Sequence, residues 1–424
     1  MTAANDQALG VRDVLRIPDY RRLFAGQVVS DIGDGITLFL VLLVINDLTG
    51  GSTIAIALMA IAEAVPAFTV GLVAGVYVDR WDRRRVMLAS DLLRAAIVLS
   101  FAFVQTVELL PLFYLLGFVQ ASIATFFRPA RGALLPHIVP AEGLASANSL
   151  AQASQVIGSV IGTGIAGLIF ANFGNGLAGF AIDSVTFLIS FALIAGISPE
   201  AGRVTAERAA AVAGESVRGG VVAGLRIVRG SRLLTGVVLA TGITMLGLGA
   251  VNVLFVPLLV NDLDVDPAWM AAIEFAQTAA MILAAFTVAF LARRLSPTTI
   301  ISLGLGVIGV CIGLVAGVGA VWQVILILFA VGLALTPLQA MVQTVVQTAA
   351  GDATRGRVVS VLQASISTAS VASMAIGGVL GTVIGIRAVY LVAGGVVLGA
   401  AGLSVLMFRG ESGRPVRAVA HAEG

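Results

Sequence analysis

The chain has 424 residues, of which 58% are hydrophobic and 11% are charged, and its formal net charge at pH 7 is +2. Its mean hydropathy is +1.04. So few polar residues cannot cover the surface of a soluble globule, and this small net charge gives no reason to expect nucleic-acid binding. The composition therefore predicts a membrane protein.

Twelve apolar runs of bilayer-spanning length follow one another along the chain. Six precede a more polar stretch, at residues 24–45, 54–78, 87–104, 111–127, 147–170 and 177–197. Six follow it, at residues 234–259, 268–291, 299–318, 321–342, 358–384 and 388–408. Backbone polar groups in lipid must be satisfied within the segment, so each run is predicted to be a helix. The predicted fold class is an all-α membrane protein with twelve transmembrane helices.

The orientation of the helices follows from the arginines, which supply all 25 basic residues. Nearly all of them lie on alternate loops or at the two ends of the chain, whereas acids dominate the opposite loops, at Asp47, Glu108, Asp262, Asp264 and Asp266. Only Arg387 breaks the pattern. By the positive-inside rule, the arginine-bearing loops and both termini are predicted to be cytoplasmic, in a multi-pass protein of the inner (plasma) membrane. No cleavable signal is expected.

An internal repeat indicates two related halves. The segments 149–154 (SLAQAS) and 360–365 (SVLQAS) match at an offset of 211, which also relates Glu63 to Glu274, Arg83 to Arg294 and Gly167 to Gly378. The repeat predicts two pseudo-symmetric six-helix bundles. The expected domains are a cytoplasmic N-terminal segment, a first bundle, a cytoplasmic linker, a second bundle and a cytoplasmic tail, at residues 1–22, 23–197, 198–232, 233–408 and 409–424.

Within the linker, residues 214–232 carry apolar residues three or four positions apart, and arginines lie between them. This pattern predicts an amphipathic helix on the cytoplasmic membrane surface. A solvated connector is the alternative.

The end of the second run carries a specific motif, GVYVDRWDRRR at residues 75–85. It resembles the signature loop between helices two and three of the major facilitator superfamily, except that Asp82 stands where glycine is usual. The resemblance implies a gating charge network that holds the outward-facing state, formed here by Gly75, Asp79, Arg80, Arg83 and Arg84. The alternative is a positively charged anchor without a gating role.

Three glycines of the fifth run, Gly158, Gly162 and Gly167, are similar to the glycine-rich motif of superfamily exporters, with Thr163 in place of its usual proline. Helix packing alone would also explain them. Further stretches at residues 90–95, 127–130 and 355–358 resemble the branch that contains enterobactin exporters and macrolide efflux proteins.

Acidic residues inside apolar runs are costly and tend to mark ion or substrate paths. The candidates for proton coupling or substrate binding are Asp31, Asp34, Glu63 and Glu274. Burial favours the protonated form of a carboxyl group, so these groups are suited to carrying protons. Static contact with neighbouring helices is the alternative, and it is also weighed for Asp183. Asp91 and Arg94, three residues apart, are expected to form a structural pair.

Two polar stripes lie on single helical faces. One consists of Asn148, Gln152 and Gln155, and the other of Gln339, Gln343 and Gln347. They are candidates for lining a water-filled cavity. A gate or interhelical hydrogen bonds remain alternatives.

No cofactor or metal is expected, because the chain has one cysteine, Cys311, and two widely separated histidines, His137 and His421, expected in a loop and in the tail. The resulting hypothesis is a proton-coupled exporter of a hydrophobic or amphipathic small molecule that works by alternating access, not an enzyme. Its expected partners are the substrate, protons and membrane lipid, with no nucleic acid, and it is expected to work as a monomer. The alternatives are an importer, a siderophore or metabolite exporter of narrow specificity, and a non-transporting receptor or scaffold.

Overall fold

The computed structural model describes residues 9–78, 80–202 and 217–409, and all regular elements in these residues are helical. The helices of the first part are α1 (Val11–Arg16), α2 (Pro18–Thr49), α3 (Thr53–Ala64), α4 (Pro66–Thr69), α5 (Gly71–Val78), α6 (Arg83–Phe101), α7 (Leu110–Ile138), α8 (Leu144–Phe173) and α9 (Leu177–Ala195). Those of the second part are α10 (Val217–Gly230), α11 (Arg232–Pro257), α12 (Met270–Arg294), α13 (Pro297–Val315), α14 (Val321–Ala349), α15 (Asp352–Val383) and α16 (Ile386–Phe408).

Among the described residues, ten helical stretches are long and apolar enough to cross a membrane. They correspond to ten of the twelve predicted runs. The third run is α6, which carries Asp91, Arg94 and an arginine-rich first turn. The second run is divided into α3, α4 and α5, although Val65 and Val70 between them keep right-handed helical backbone angles. The prediction of an all-α membrane fold is therefore confirmed.

Proline explains the first division of the second run. Pro66 occupies the first position of α4, and no backbone N–H is available there to continue the hydrogen bonds of α3. Proline is tolerated at this position because the first N–H groups of a helix have no intrahelical acceptor.

Helix α7, which corresponds to the fourth apolar run, is longer than the sequence predicted. Its apolar run ends at Phe127, but α7 continues to Ile138 through Pro129 and Pro136. The prediction that Arg128, Arg131 and His137 lie in a loop was therefore wrong. An apolar run records the lipid-exposed part of a helix, whereas the helix itself extends for as long as its backbone hydrogen bonds are satisfied.

The internal contacts divide the chain into two units. The first comprises Met1–Gly50, Met59–Glu215 and Asp266–Ala271, and the second comprises Gly51–Leu58, Ser216–Val265 and Ala272–Gly424. These units differ from the predicted halves mainly at the two short segments Gly51–Leu58 and Asp266–Ala271.

The same packing scheme recurs inside each unit. In the first, α2 packs against α8 and α9, and α6 packs against α7 and α9. In the second, α11 packs against α15 and α16, and α13 packs against α14 and α16. Because these helices hold equivalent places in the two series of runs, the internal packing follows the pseudo-symmetry that the repeat predicts.

Helix α10 lies in the linker segment for which the sequence predicts an amphipathic helix. It packs along α15, and a Cβ added at Gly224 would lie 2.5 Å from the carbonyl oxygen of Arg357. Val228 is buried and Leu225 is exposed. The helix therefore buries one face against protein.

Candidate functional site

An ion pair lies in the first unit between α6 and α2. Arg94 donates from Nη2 to Oδ1 of Asp34. The Arg94 side chain is 9% exposed, against 42% for Asp34, and its guanidinium lies 4.2 Å from the centre of the Phe187 ring. The arginine is thus fixed by its surroundings, while the carboxylate keeps an accessible edge.

This contact corrects the expected pairing of Arg94 with Asp91. Among the described residues, the ion pair of Arg94 is made with Asp34, 60 positions away along the chain. Spacing of three residues places Asp91 and Arg94 near each other on α6, but it does not orient their side chains toward each other. Asp91 is 1% exposed, and its polar neighbours are Ser190 and Arg94.

Four further carboxyl groups lie within electrostatic range of Asp34, and they belong to helices α2, α3, α6 and α9: Asp31, Glu63, Asp91 and Asp183. We call these five carboxyl groups the acidic cluster. The structure therefore brings together Asp31, Asp34 and Glu63, three of the four predicted candidates. Glu274 lies half-buried on α12, in the second unit. Within the described residues, no group of acids, histidines and cysteines has the geometry of a metal site.

The members of the acidic cluster differ in accessibility. Asp183 has no exposed surface, and Asp91 has almost none. Asp31, Asp34 and Glu63 are partly exposed. A group that exchanges protons with water needs such access, so the three accessible carboxyl groups are the better candidates for that role.

Asp183 has the features of a static contact. Thr37 donates a hydrogen bond of 2.5 Å to its Oδ2, and Thr186 donates one of 2.9 Å to its Oδ1. A Cβ at Gly33 would collide with Oδ1 of Asp183. The missing side chain at Gly33 is therefore what makes room for the carboxyl group of α9 beside α2.

A glycine on α8 makes room for Asp31 in the same way. A Cβ at Gly158 would lie 2.7 Å from the Cβ of Asp31. Ser154, one turn earlier on α8, donates a hydrogen bond of 2.6 Å to the Asp31 carboxylate. One face of α8 therefore both positions and binds this acid.

The other two glycines of the motif also lie at close backbone contacts. A Cβ at Gly162 would be 2.7 Å from the Cα of Gly35, and one at Gly167 would be 3.0 Å from the carbonyl carbon of Pro267. Side chains at either position would separate the packed segments.

Arg131 was not among the candidates, yet it lies on α7 within electrostatic range of Asp31. With the amide oxygen of Gln27 turned toward it, Arg131 donates hydrogen bonds of 2.9 Å and 3.3 Å to that oxygen. Gln27 is 4% exposed. The position of Gln27 inside an apolar run was the sequence signal that could have pointed to Arg131, because a buried amide requires a hydrogen-bond partner.

The predicted gating loop is described in part. Asp79 lies outside the described residues, Gly75 lies on α5, and Arg80 is exposed. Arg83 is 4% exposed, and its Nη1 lies 3.1 Å from Nε2 of His137.

Two neighbours of Arg83 also have defined contacts. Arg84 donates to the carbonyl oxygens of Ile194 and Ala195, the first at 3.2 Å. Asp82 caps α6 by accepting the backbone N–H of Arg85 at 2.9 Å. This cap gives a physical reason for an aspartate at the position where glycine is usual.

The two polar stripes are exposed on their helices. Among the described residues, Asn148 donates a hydrogen bond of 2.9 Å to Leu144 of its own helix. The glutamines at positions 152, 155, 339, 343 and 347 have no side-chain hydrogen bond to another helix in the described part of the chain. Interhelical hydrogen bonds are therefore not seen for these glutamines in the described residues, and the cavity-lining and gate interpretations stay predictions.

The sequence also matches known proteins. Residues 13–416 match the family described as "Transmembrane secretion effector" (MFS_3). The chain is 29% identical to "Multidrug efflux pump Tap" of Mycolicibacterium fortuitum over 80% of this chain and 84% of that pump. It is 28% identical to "Macrolide efflux protein A" of Streptococcus pyogenes over 35% of this chain and 37% of that protein.

Solved structures agree on the fold. A bacterial homologue of the iron transporter ferroportin in its inward-facing state superposes with a TM-score of 0.75 at 16% identity, over 93% of this chain and 99% of that one. A bacterial homologue of the lysosomal transporter Spinster gives a TM-score of 0.72 at 13% identity, over 92% and 96% of the two chains. With ten apolar membrane-length helices in its described residues and a family match over nearly its whole length, this multi-pass membrane protein belongs to the transmembrane secretion effector family, in the efflux branch of the major facilitator superfamily.

Proposed function

We propose that the protein is a proton-coupled exporter of hydrophobic or amphipathic small molecules of the drug type. The names of two relatives, a multidrug efflux pump and a macrolide efflux protein, support this substrate class. A narrow-specificity exporter of a siderophore or another metabolite is the second candidate, because the sequence also resembles enterobactin exporters. We place the protein in the plasma membrane with both termini cytoplasmic, working as a monomer by alternating access of its two halves.

One observation carries the proposal of proton coupling: the Arg94–Asp34 ion pair lies among four other carboxyl groups. The guanidinium groups of Arg94, beside Asp34, and of Arg128 and Arg131, in range of Asp31, are fewer than the five carboxyl groups, and the desolvation of an unpaired charge inside a membrane protein is costly. Binding protons removes that cost. The acidic cluster therefore has both a reason to hold protons and, at its accessible members, a route for exchanging them.

The proposed cycle uses Arg94 as the element with two alternative partners. With Asp34 ionised, Arg94 pairs with it as in the structure. Protonation of Asp34 ends that pairing, and Arg94 then turns to the neighbouring carboxyl group of Asp91, which lies on the same helix. In each state the buried guanidinium faces a carboxyl group, so the proton selects between two arrangements.

Substrate binding is assigned to the exposed polar stripes. Amide side chains at Gln152, Gln155, Gln339 and Gln343, together with Asn148, accept and donate hydrogen bonds without fixed charge. Such groups suit a range of uncharged or amphipathic molecules. The loop of residues 75–85 is proposed to be the gate that favours the outward-facing state.

Transport in inside-out membrane vesicles tests the coupling. A growth screen with toxic hydrophobic compounds, in a strain without its own pumps, first identifies a transported compound. Vesicles whose lumen is made more acidic than the medium should accumulate that compound, and a proton-conducting uncoupler should abolish the accumulation. Accumulation that survives collapse of the gradient would contradict proton coupling.

The variants Asp34→Asn and Glu63→Gln sharpen the test. Both should lose uphill accumulation while keeping downhill exchange of the same compound, because exchange needs substrate binding and conformational change but no net proton movement. Glu108→Gln, which changes an exposed acid just before α7 and outside the acidic cluster, serves as the matched control and should behave as the wild type. Undiminished uphill transport in both cluster variants would overturn the assignment.

A further inference from the structure

A groove of about 500 Å³ lies between α6 and α7 in the first unit. Its walls are mostly apolar and consist of Val86, Ala89, Ser90, Leu93, Ile123 and Phe126. Leu93 is 52% exposed, so the groove belongs to the surface of the unit and not to its core. In a membrane protein, an apolar groove on such a surface faces lipid chains.

Polar and aromatic side chains gather at one end of the groove, where α6 begins. Trp81, Asp82 and Arg85 line this end, and the Trp81 ring stacks with Phe126 at 6.4 Å between centroids. Tryptophan is enriched where the hydrocarbon core meets the headgroups. The groove therefore runs from a wall suited to an acyl chain to an end suited to a headgroup.

The accessible charge at this end belongs to Arg85. Its side chain is 84% exposed, and its ion pair with Asp82 is stretched to 4.0 Å. Asp82 is the N-cap of α6, so its carboxylate is already held by backbone N–H donation. A guanidinium with free donors at a membrane surface is well matched to a phosphate, which it binds with two parallel hydrogen bonds.

The two preceding arginines are directed elsewhere. Arg83 is buried beside His137, and Arg84 donates to the carbonyl oxygens that end α9. Neither residue lines the groove. The three consecutive arginines are thus divided between internal contacts and a single outward-facing cation.

We propose that this groove is a binding site for an anionic phospholipid. One acyl chain lies between α6 and α7, the phosphate binds Arg85, and Trp81 lies at the level of the headgroup. Because the Asp82 carboxylate accepts the backbone N–H that caps α6, whereas the Arg85 side chain is 84% exposed, the charge that faces an incoming headgroup is the cation, which favours an anionic headgroup over a zwitterionic one.

Native mass spectrometry of the full-length, delipidated protein with defined phospholipids tests the proposal. The wild type should bind phosphatidylglycerol about fivefold more tightly than phosphatidylcholine or phosphatidylethanolamine, which is the effect of one cation near the headgroups. Arg85→Gln should remove this preference. Arg16→Gln, which changes a similarly exposed arginine outside the groove, should retain it.

A second pair of variants tests the acyl-chain wall. Ala89→Phe places a ring in the groove and should weaken the binding of all three lipids. Ala96→Phe, on the same exposed face of α6 two turns farther on and outside the groove lining, should leave binding unchanged. Equal affinity of the wild type for the three lipids, tighter binding of phosphatidylethanolamine than of phosphatidylglycerol, or an unchanged preference in Arg85→Gln would overturn the proposal.

Discussion

Arg387 donates a hydrogen bond of 2.6 Å from Nε to the carboxylate of Asp262. Its Nη1 also donates to the carbonyl oxygens of Ala316 and Val318, at 3.2 Å and 2.9 Å. The one arginine that breaks the charge bias between loops thus joins the start of α16 to the segments that follow α11 and α13. A structural requirement explains its position, and the bias of the other arginines keeps its meaning for topology.

Loss of this arginine should lower stability. Both side chains of the ion pair are more than a third exposed, so the pair itself contributes little. Arg387→Ala also leaves two loop carbonyl groups without their donor, and we expect a loss of about 1 kcal/mol, against less for Asp262→Asn. Thermal unfolding in detergent measures the difference. An equal loss of stability in the two variants would mean that the hydrogen bonds to the carbonyl groups do not contribute to stability.

Close packing of α8 on α2 predicts an asymmetry between glycines. Gly162→Ala places a Cβ against the backbone of Ile32 and Gly35 and should cost about 1–3 kcal/mol. Gly306→Ala, on α13, meets no atom within 4 Å and should cost nothing. Both changes add one methyl group within a helix, so the second is a matched control. Unfolding temperatures that fall equally would refute the packing explanation.

The orientation in the membrane is open to a labelling test. Single cysteines at Asp47 and Asp264 should react with an impermeant thiol reagent added outside intact cells. Cysteines at Arg85 and Arg208 should react only after the membrane is opened. The native Cys311 is buried and should contribute little background. The reverse pattern would place the termini outside.

The gating loop makes a prediction about conformational equilibrium. Asp79→Asn and Arg83→Ala should each shift the population toward the inward-facing state by about 1–3 kcal/mol. The double variant should shift it by less than the sum, because both changes break one network. Distance distributions between spin labels on the two halves report the shift. Distributions unchanged from the wild type would leave the loop with an anchoring role only.

The long apolar runs predicted most of the fold, because a bilayer requires helices and fixes their minimum length. Their ends were less predictable. The end of α7 lies eleven residues beyond the apolar run, at Ile138 instead of Phe127, since a helix does not stop where its hydrophobicity stops. The division of the second run at Pro66 was visible in the sequence as a proline, but proline inside a membrane helix does not reveal whether the chain bends or continues.

The candidate acids were easier to select from the sequence than their tertiary contacts. Intramembrane acids are expensive and rare, which marked Asp31, Asp34 and Glu63 without any structure. Their contacts are tertiary. The spacing of Arg94 along the chain does not reveal that it pairs with Asp34 of α2 and not with Asp91 of its own helix. Arg131 was overlooked because it was assigned to a loop.

Gly158 and Gly162 leave α2 and α8 without a layer of side chains between them, since the backbone of one helix lies directly on the other. Two helices in such contact have no rotamers to rearrange when force is applied. The two helices are therefore expected to move as one rigid pair, in which the hydrogen bond between Asp31 and Ser154 is kept. A displacement that begins at Asp31 therefore moves α2 and α8 together. Relative motion of helices within the first unit has to occur at other helix contacts.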